Sequence, residues 1–531
     1  MSVLATLNRR QIHFALGISA VILFLASAYA FVLREDAPYT PSFPPSRQEV
    51  NIYNNYKEEQ AAAPRRVAHL HYLIPATNSK DTVCSGIAAA LANGYPPPRI
   101  LGYKGQGEFD AHAAHIAKLR TIKRYLYSVN ATSNDDDLVI IVDGYDVLPQ
   151  LPAEVMIERY FEMTLKEDTK LANQRGITVE ELRKQGVRQT LVWGTDKGCF
   201  PPKGDEAQCW LIPFSDLSRY AWGPKSDATG PLPYSDSRFL NSGTAMGPLG
   251  DMRKMIDAAL KLIDYAWDKE EKYKNSDQYY IGRLYARQEY DRIVKMSGGK
   301  YPFEVPGGKK LPPALHDDEE AELHIFTDKE YAFTQTRCHN DAFMHKLRYS
   351  GIDYTADVTR DTMEEGDRFR PYKVQMPAAV HRAFTNLWNA LPKDERPSSS
   401  ANKWIRELPL STNVATQHMY AFYHHTCRKE GFVDRHRESW HFPIIKTLLR
   451  HNRKKYDRSE PVHPGIVDGR LWIAPKNYPM ETEMQDEYGG VFTDLEAEPF
   501  IPFQKFCKPD LPAVIGEKKE PAPEEVSPET R

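Results

Sequence analysis

The segment Leu138-Val-Ile-Ile-Val-Asp-Gly-Tyr-Asp146 closes a wholly apolar run with two carboxylates three residues apart. Such a run, bounded by turn residues, reads as a strand buried on both faces. Asp143 and Asp146 are then delivered to its carboxyl end, the edge at which open α/β sheets bind ligands. Two carboxylates held there repel each other unless a cation sits between them. Hard divalent ions take oxygen ligands and bridge protein carboxylates to substrate phosphates. As a Lewis acid, such an ion stabilises a diphosphate leaving group, so a sugar nucleotide fits the chemistry. An Asp-x-x-Asp alone equally suits a plain turn, with Asp143 capping it and Asp146 in a loop. The surroundings have to separate the two.

The elements that position these carboxylates alternate between strand and helix. Val67 to Ile74 is strand-like and stops at Pro75, and Asp81 to Asn93 carries a helical apolar pattern ended by Gly94 and Pro96-Pro97-Pro98. Arg99 to Tyr103 reads as a second strand and Ala111 to Tyr127 as a longer helix, followed by the Leu138 to Val142 strand. Gln278 to Ala286 and Trp440 to Tyr456 also read as helical. Strands alternating with helices predict an α/β fold with a mostly parallel sheet between helices. No internal repeat is present.

Further blocks follow in order. Ala76-Thr77 comes after the first strand, and Lys118-Leu-Arg-Thr-Ile-Lys123 sits on the long helix. Then come Asp143-Gly-Tyr-Asp146, Asp196-Lys-Gly-Cys-Phe-Pro201, Phe239-Leu-Asn-Ser-Gly243, Ser276-Asp277-Gln278 and Pro377-Ala-Ala-Val-His381. Across Val67 to Asn389 this order resembles the glycosyltransferase domain of the procollagen lysyl hydroxylase/glucosyltransferase family, of GT-A type. The opening His-Tyr-Leu-Ile-Pro-Ala-Thr is also similar to that of fungal membrane-anchored glycosyltransferase-like proteins. The resemblance implies that Ala76 and Thr77 hold the nucleotide, that Tyr145 faces its base and that Lys118 lies near the donor. It implies that Asp143, Asp146 and His381 hold Mn²⁺ or Mg²⁺. Asp196 begins the block that bears an aromatic gate, where Phe200 stands for the family's Trp, and Asn241, Ser242 and Gly243 hold the sugar. Asp277 lies beside the reacting carbon; Ser276 replaces a second family aspartate, and Arg382-Ala-Phe replaces a Gly-Asn-Gly after the histidine. Each block has a plainer reading. Asn241-Ser242-Gly243 alone is a turn, Asp277 suits a helix N-cap, Lys123 suits a solvated face, and a lone His381 at a strand end suits a structural hydrogen bond.

Composition narrows the class. The 531 residues are 41% hydrophobic and carry a formal net charge of −3, which gives no electrostatic case for nucleic acid. No Gly-x-Ser-x-Gly elbow or Gly-Lys-Ser/Thr phosphate loop occurs. His112 and His115 lack the Glu of a zinc-binding helix and read as structural, and His424-His425 finds no partner in the sequence. Ile12 to Leu33 has no Asp, Glu, Lys or Arg and is long enough to span a bilayer. Arg9 and Arg10 before it place the N-terminus in the cytosol. Ala26-Ser27-Ala28 and Ala28-Tyr29-Ala30 keep a cleaved signal open as the rival reading. Six cysteines lack zinc-site spacing. In a lumenal chain they allow disulfides, with Cys199 and Cys209 the nearest pair, while six reduced buried thiols remain the alternative. Asn130-Ala131-Thr132 is a glycosylation sequon.

The expectation is a single-pass type II membrane protein with its catalytic domain in the lumen of the Golgi or endoplasmic reticulum. Its parts are a cytosolic tail (1–11), a transmembrane signal-anchor (12–33), a stem (34–66), a GT-A-like domain (67–395), a C-terminal extension (396–515) and a disordered tail (516–531). It transfers a sugar, from a UDP-sugar in the first instance, to a protein or glycan. The other readings are an inactive glycan- or partner-binding module with the same fold, and a metal-dependent phosphoester hydrolase.

Overall fold

The computed structural model describes residues 66–105, 114–129, 133–226, 230–312, 319–481 and 484–516. The expected anchor at 12–33, the stem up to residue 65, Asn130 and the tail from 517 lie outside them. Among the described residues no helix is long and apolar enough to cross a membrane.

The strand Leu138–Val142 is buried along its whole length, as its uninterrupted apolar sequence requires. It pairs in parallel with Arg66–Pro75 on one side, Ile140 opposite Tyr72, and antiparallel with Phe239–Pro248 on the other, Ile140 opposite Met246. Its side chains obey the two-residue period of a strand. Leu138, Ile140 and Val142 join Leu70, Tyr72 and Ile74 in one core, which also takes residues of helices Asp81–Ala92, Ala153–Arg175, Ala378–Ala390 and Ile445–Asp457. Val139 and Ile141 join Leu73 and Trp193 in the other, which takes residues of helices Ala114–Ser128, Leu249–Ala266 and Asp277–Met296. Burying one such aliphatic side chain contributes about 1.5–3 kcal/mol, so two cores back to back fix the strand's position. The sheet is mixed but mostly parallel: Leu191–Asp196 pairs antiparallel with Phe239–Pro248 and in parallel with Ile325–Thr327.

The sheet does not stop where the sequence pattern weakens. Arg470–Ile473 pairs in parallel with the start of Arg66–Pro75, and Gly490–Thr493 with Arg99–Leu101. Phe500–Pro502 adds an antiparallel edge. Trp440, Leu448, Trp472 and Phe503 belong to the same core as Tyr72 and Ile140. The boundary expected at 395 is therefore not a boundary in the structure: residues 396–515 complete the sheet that the earlier strands begin. A disulfide from Cys84, on the Asp81–Ala92 helix, to Cys507 ties that segment across the fold.

Candidate metal centre

Beyond Val142 the chain turns sharply so that Asp143 and Asp146 both stay at the strand's end. Gly144 makes the turn possible, because a Cβ there would lie 2.8 Å from the Pro75 carbonyl oxygen and 3.0 Å from the Ala76 Cβ. The next residues form the short strand Val147–Pro149, which pairs antiparallel with Phe422–His424 in the register His424 opposite Val147. That register sets His424 beside Asp146, and the His425 N–H donates to the Asp146 carbonyl at 2.8 Å. Thr334–Thr336 flanks the same strand on its other side.

Asp143, Asp146 and His424 each offer one ligand atom, all within 4.8 Å of one another. His424 Nε2 lies 3.3 Å from Asp146 Oδ2, and Lys429 Nζ makes an ion pair with the same oxygen. Burial alone would raise the Asp146 carboxyl, but His424 and Lys429 outweigh it and hold the group well below the usual carboxylate range. His424 is also buried, which favours its neutral form, yet Asp146, with Asp143 and Asp196, moves it above the ordinary histidine value. Its ring rests on Gly243, where a Cβ would come within 2.1 Å of Cε1. His424 Nδ1 is buried and has no hydrogen-bond partner among the described residues.

Lys118, on the Ala114–Ser128 helix, donates to Asp143 Oδ1 at 2.7 Å and to the Ser242 carbonyl at 3.0 Å, and makes an ion pair with Asp277 Oδ2 at 2.8 Å. Burial pulls its pKa down, but the two carboxylates more than reverse this and keep it charged. The repulsion expected between the carboxylates is thus already neutralised by the protein's own cations. Asp277 is 3% exposed. Burial pushes its carboxyl up, while Lys118 and His115 bring it below its usual value. Ser276, not Asp277, caps the helix, its Oγ accepting from the Tyr279 N–H at 3.4 Å. Asp277 is free of that duty and accepts from Ser242 Oγ at 3.1 Å.

The other residues singled out from sequence are held by contacts of their own. Tyr145 Oη accepts from the Thr77 N–H at 3.1 Å and lies 3.3 Å from Asn78 Oδ1. Ala76 is buried and its N–H donates to Leu101 at 2.9 Å. Asn241 donates to Asp196 at 2.8 Å and accepts from the Gly243 N–H at 2.9 Å, and desolvation raises the Asp196 carboxyl. Phe200 is 42% exposed and meets Tyr273 edge-on with ring centres 5.3 Å apart. Cys199 and Cys209 are joined in a disulfide.

His381 is the exception. It was expected at a strand end as the third ligand, but Pro377 caps a helix and His381 lies in that helix's first turns. Its ring packs on Tyr354 at 4.2 Å between centres, and the cluster of potential ligands contains His424 instead. Proline suits a helix start because its fixed φ is helical and its missing N–H is not needed there. Lys429 was not anticipated either. The only local signal was the His424-His425 pair beside Cys427, whose partner Cys338 lies 89 residues earlier.

No protein-family model matches the chain, and no curated protein matches it in sequence.

Proposed function

We propose that this chain is a metal-dependent glycosyltransferase with a GT-A-like fold that takes a nucleotide-sugar donor and glycosylates a protein or glycan. The observation that carries the reading is the convergence of Asp143, Asp146 and His424 at the carboxyl end of a central strand, with Lys118 linking Asp143 to Asp277. Two carboxylate oxygens and an imidazole suit Mn²⁺ well and Mg²⁺ less, since Mg²⁺ takes oxygen almost exclusively. The orphaned Nδ1 of buried His424 agrees with a site built for a further ligand. The ordered blocks resembling the procollagen lysyl glucosyltransferase domain support the same class, with His424 in the role that the resemblance implies for His381.

A divalent ion bound here would neutralise charge on the departing diphosphate. The chain's own residues do the rest. Tyr145 and Thr77, hydrogen-bonded together beside the Asp143–Asp146 turn, are placed to hold the nucleoside. Asn241 and Asp196 brace the Phe239–Gly243 segment that holds the sugar. Lys118 orients Asp143 and Asp277 and stabilises negative charge near the reacting centre. Asp277, ionised and engaged by Lys118 and Ser242, is a positioning residue rather than a proton acceptor. That same engagement favours, as a second reading, a binding module that retains the donor without turnover.

The test is a thermal-shift screen of uridine and guanosine diphosphate sugars on the full chain, with and without Mn²⁺. A true donor at a hundredfold excess over its Kd adds about 2.7 kcal/mol of stability, and only when Mn²⁺ is present. A flat response across all of them overturns the donor reading. Retention of donor without hydrolysis or transfer selects the binding module.

A further inference from the structure

Lys429 reaches Asp146 from outside. Its side chain is 61% exposed, whereas those of Asp146 and His424 are 5% and 4% exposed. The backbone around it is fixed at several points. Cys427 is disulfide-bonded to Cys338, whose N–H donates to Thr426 Oγ1 at 2.9 Å. Arg337 donates to the Arg428 carbonyl at 3.2 Å, and the His425 ring meets the Glu430 carbonyl at 2.9 Å. A long, solvated side chain therefore springs from an anchored loop and ends on the oxygen that a divalent ion would need. His424, wedged on Gly243, has no such freedom.

The local charge count gives the reason. With His424 counted as neutral, the form in which an imidazole binds a metal, Asp143, Asp146 and Asp277 face Lys118 and Lys429, three negative charges against two positive. A divalent cation turns that balance from −1 to +1, and only an anion restores it. We propose that Lys429 is the diphosphate-binding lysine of this site, stored on Asp146 in the cation-free protein and released to the anion once that carboxylate is engaged. The inference rests on the metal-centre reading above. It makes Lys429 a competitor of the cation and a partner of the nucleotide, so its removal acts on the two ligands with opposite sign.

Calorimetric titrations of the full chain test this with Mn²⁺ alone, and with UDP and GDP in parallel at saturating Mn²⁺. Lys429→Ala is expected to bind Mn²⁺ severalfold more tightly and the preferred nucleotide at least tenfold more weakly, while Lys429→Arg stays near wild type. Unchanged nucleotide affinity in Lys429→Ala overturns the inference and leaves the metal centre standing, provided wild type takes up Mn²⁺. Weakening of both ligands overturns it too, because that is what mere support of the loop would give. Failure of wild type to take up Mn²⁺, or to bind either nucleotide with it, removes the inference together with the reading beneath it.

Discussion

Gly243→Ala isolates the geometry of His424 with a single methyl group. The added Cβ would lie 2.1 Å from Cε1, 2.7 Å from Nε2 and 2.8 Å from Nδ1 of that ring. Carbon atoms reach favourable contact from about 3.5 Å, so the ring has to retreat by roughly 1.4 Å or the strand has to shift. Neither is easy: His424 is 3% exposed, and Gly243 lies on a strand whose carbonyl accepts from the Asp143 N–H at 2.8 Å. Overpacking of this kind costs about 1–3 kcal/mol. Metal–ligand distances tolerate only about 0.2 Å, so the same displacement removes His424 from the ligand set. Even the loss of an outer partner commonly costs 10–100-fold in metal affinity, which sets a tenfold loss as the minimum here. Mn²⁺ titration calorimetry and urea unfolding read the two effects. In a His424→Ala background the clash is gone, so the same Gly243→Ala change should cost little stability. The coupling between the two sites should then approach the whole penalty. Wild-type Mn²⁺ affinity in Gly243→Ala, or an equal stability loss in both backgrounds, would refute the placement of His424.

Other expectations follow from the same contacts. Lys118→Ala leaves Asp143 and Asp277 without their shared cation and should cost about 3–5 kcal/mol in denaturant unfolding; a loss below 1 kcal/mol would show that the triad does not hold the site. Asp146→Asn should abolish Mn²⁺ binding and lower, not raise, the melting temperature of the metal-free protein, because Asp146 is paired with His424 and Lys429 rather than repelled by Asp143. Burial pushes His436 down to about 4, outweighing the opposing effect of its bond to the Val514 carbonyl. Its contribution is complete above the unfolded value near 6.5 and is lost as pH falls towards 4, about 3 kcal/mol in total. His436→Gln should flatten melting temperature against pH in that window, and an unchanged slope would contradict it. Replacing Cys84 and Cys507 together by Ala opens a bridge between positions 423 residues apart and should cost about 2–5 kcal/mol; unchanged unfolding would mean the pair is not bonded in solution.

What the sequence determined by itself is what short-range pattern can carry. Five apolar residues in a row made Leu138–Val142 a doubly buried strand, and the chain direction alone put Asp143 and Asp146 at its carboxyl end. The position of Lys118 on a helix was equally local, whereas Asn241-Ser242-Gly243, which alone reads as a turn, lies within the buried strand Phe239–Pro248. Tertiary structure decided the third ligand and the cations. His424 reaches Asp146 only because its strand pairs with Val147–Pro149 in one register, and register between strands hundreds of residues apart leaves no trace in either segment. His381 was implied as a ligand by the resemblance of Pro377-Ala-Ala-Val-His381 to a family block, yet proline there opens a helix whose histidine packs on Tyr354. Strands Arg470–Ile473 and Gly490–Thr493 were illegible for the same reason: each is four residues long and is held by neighbours from the beginning of the chain. Local periodicity specifies which face of an element is apolar, while the partner that covers it, and hence the charges brought together at its end, is chosen only when the whole chain packs.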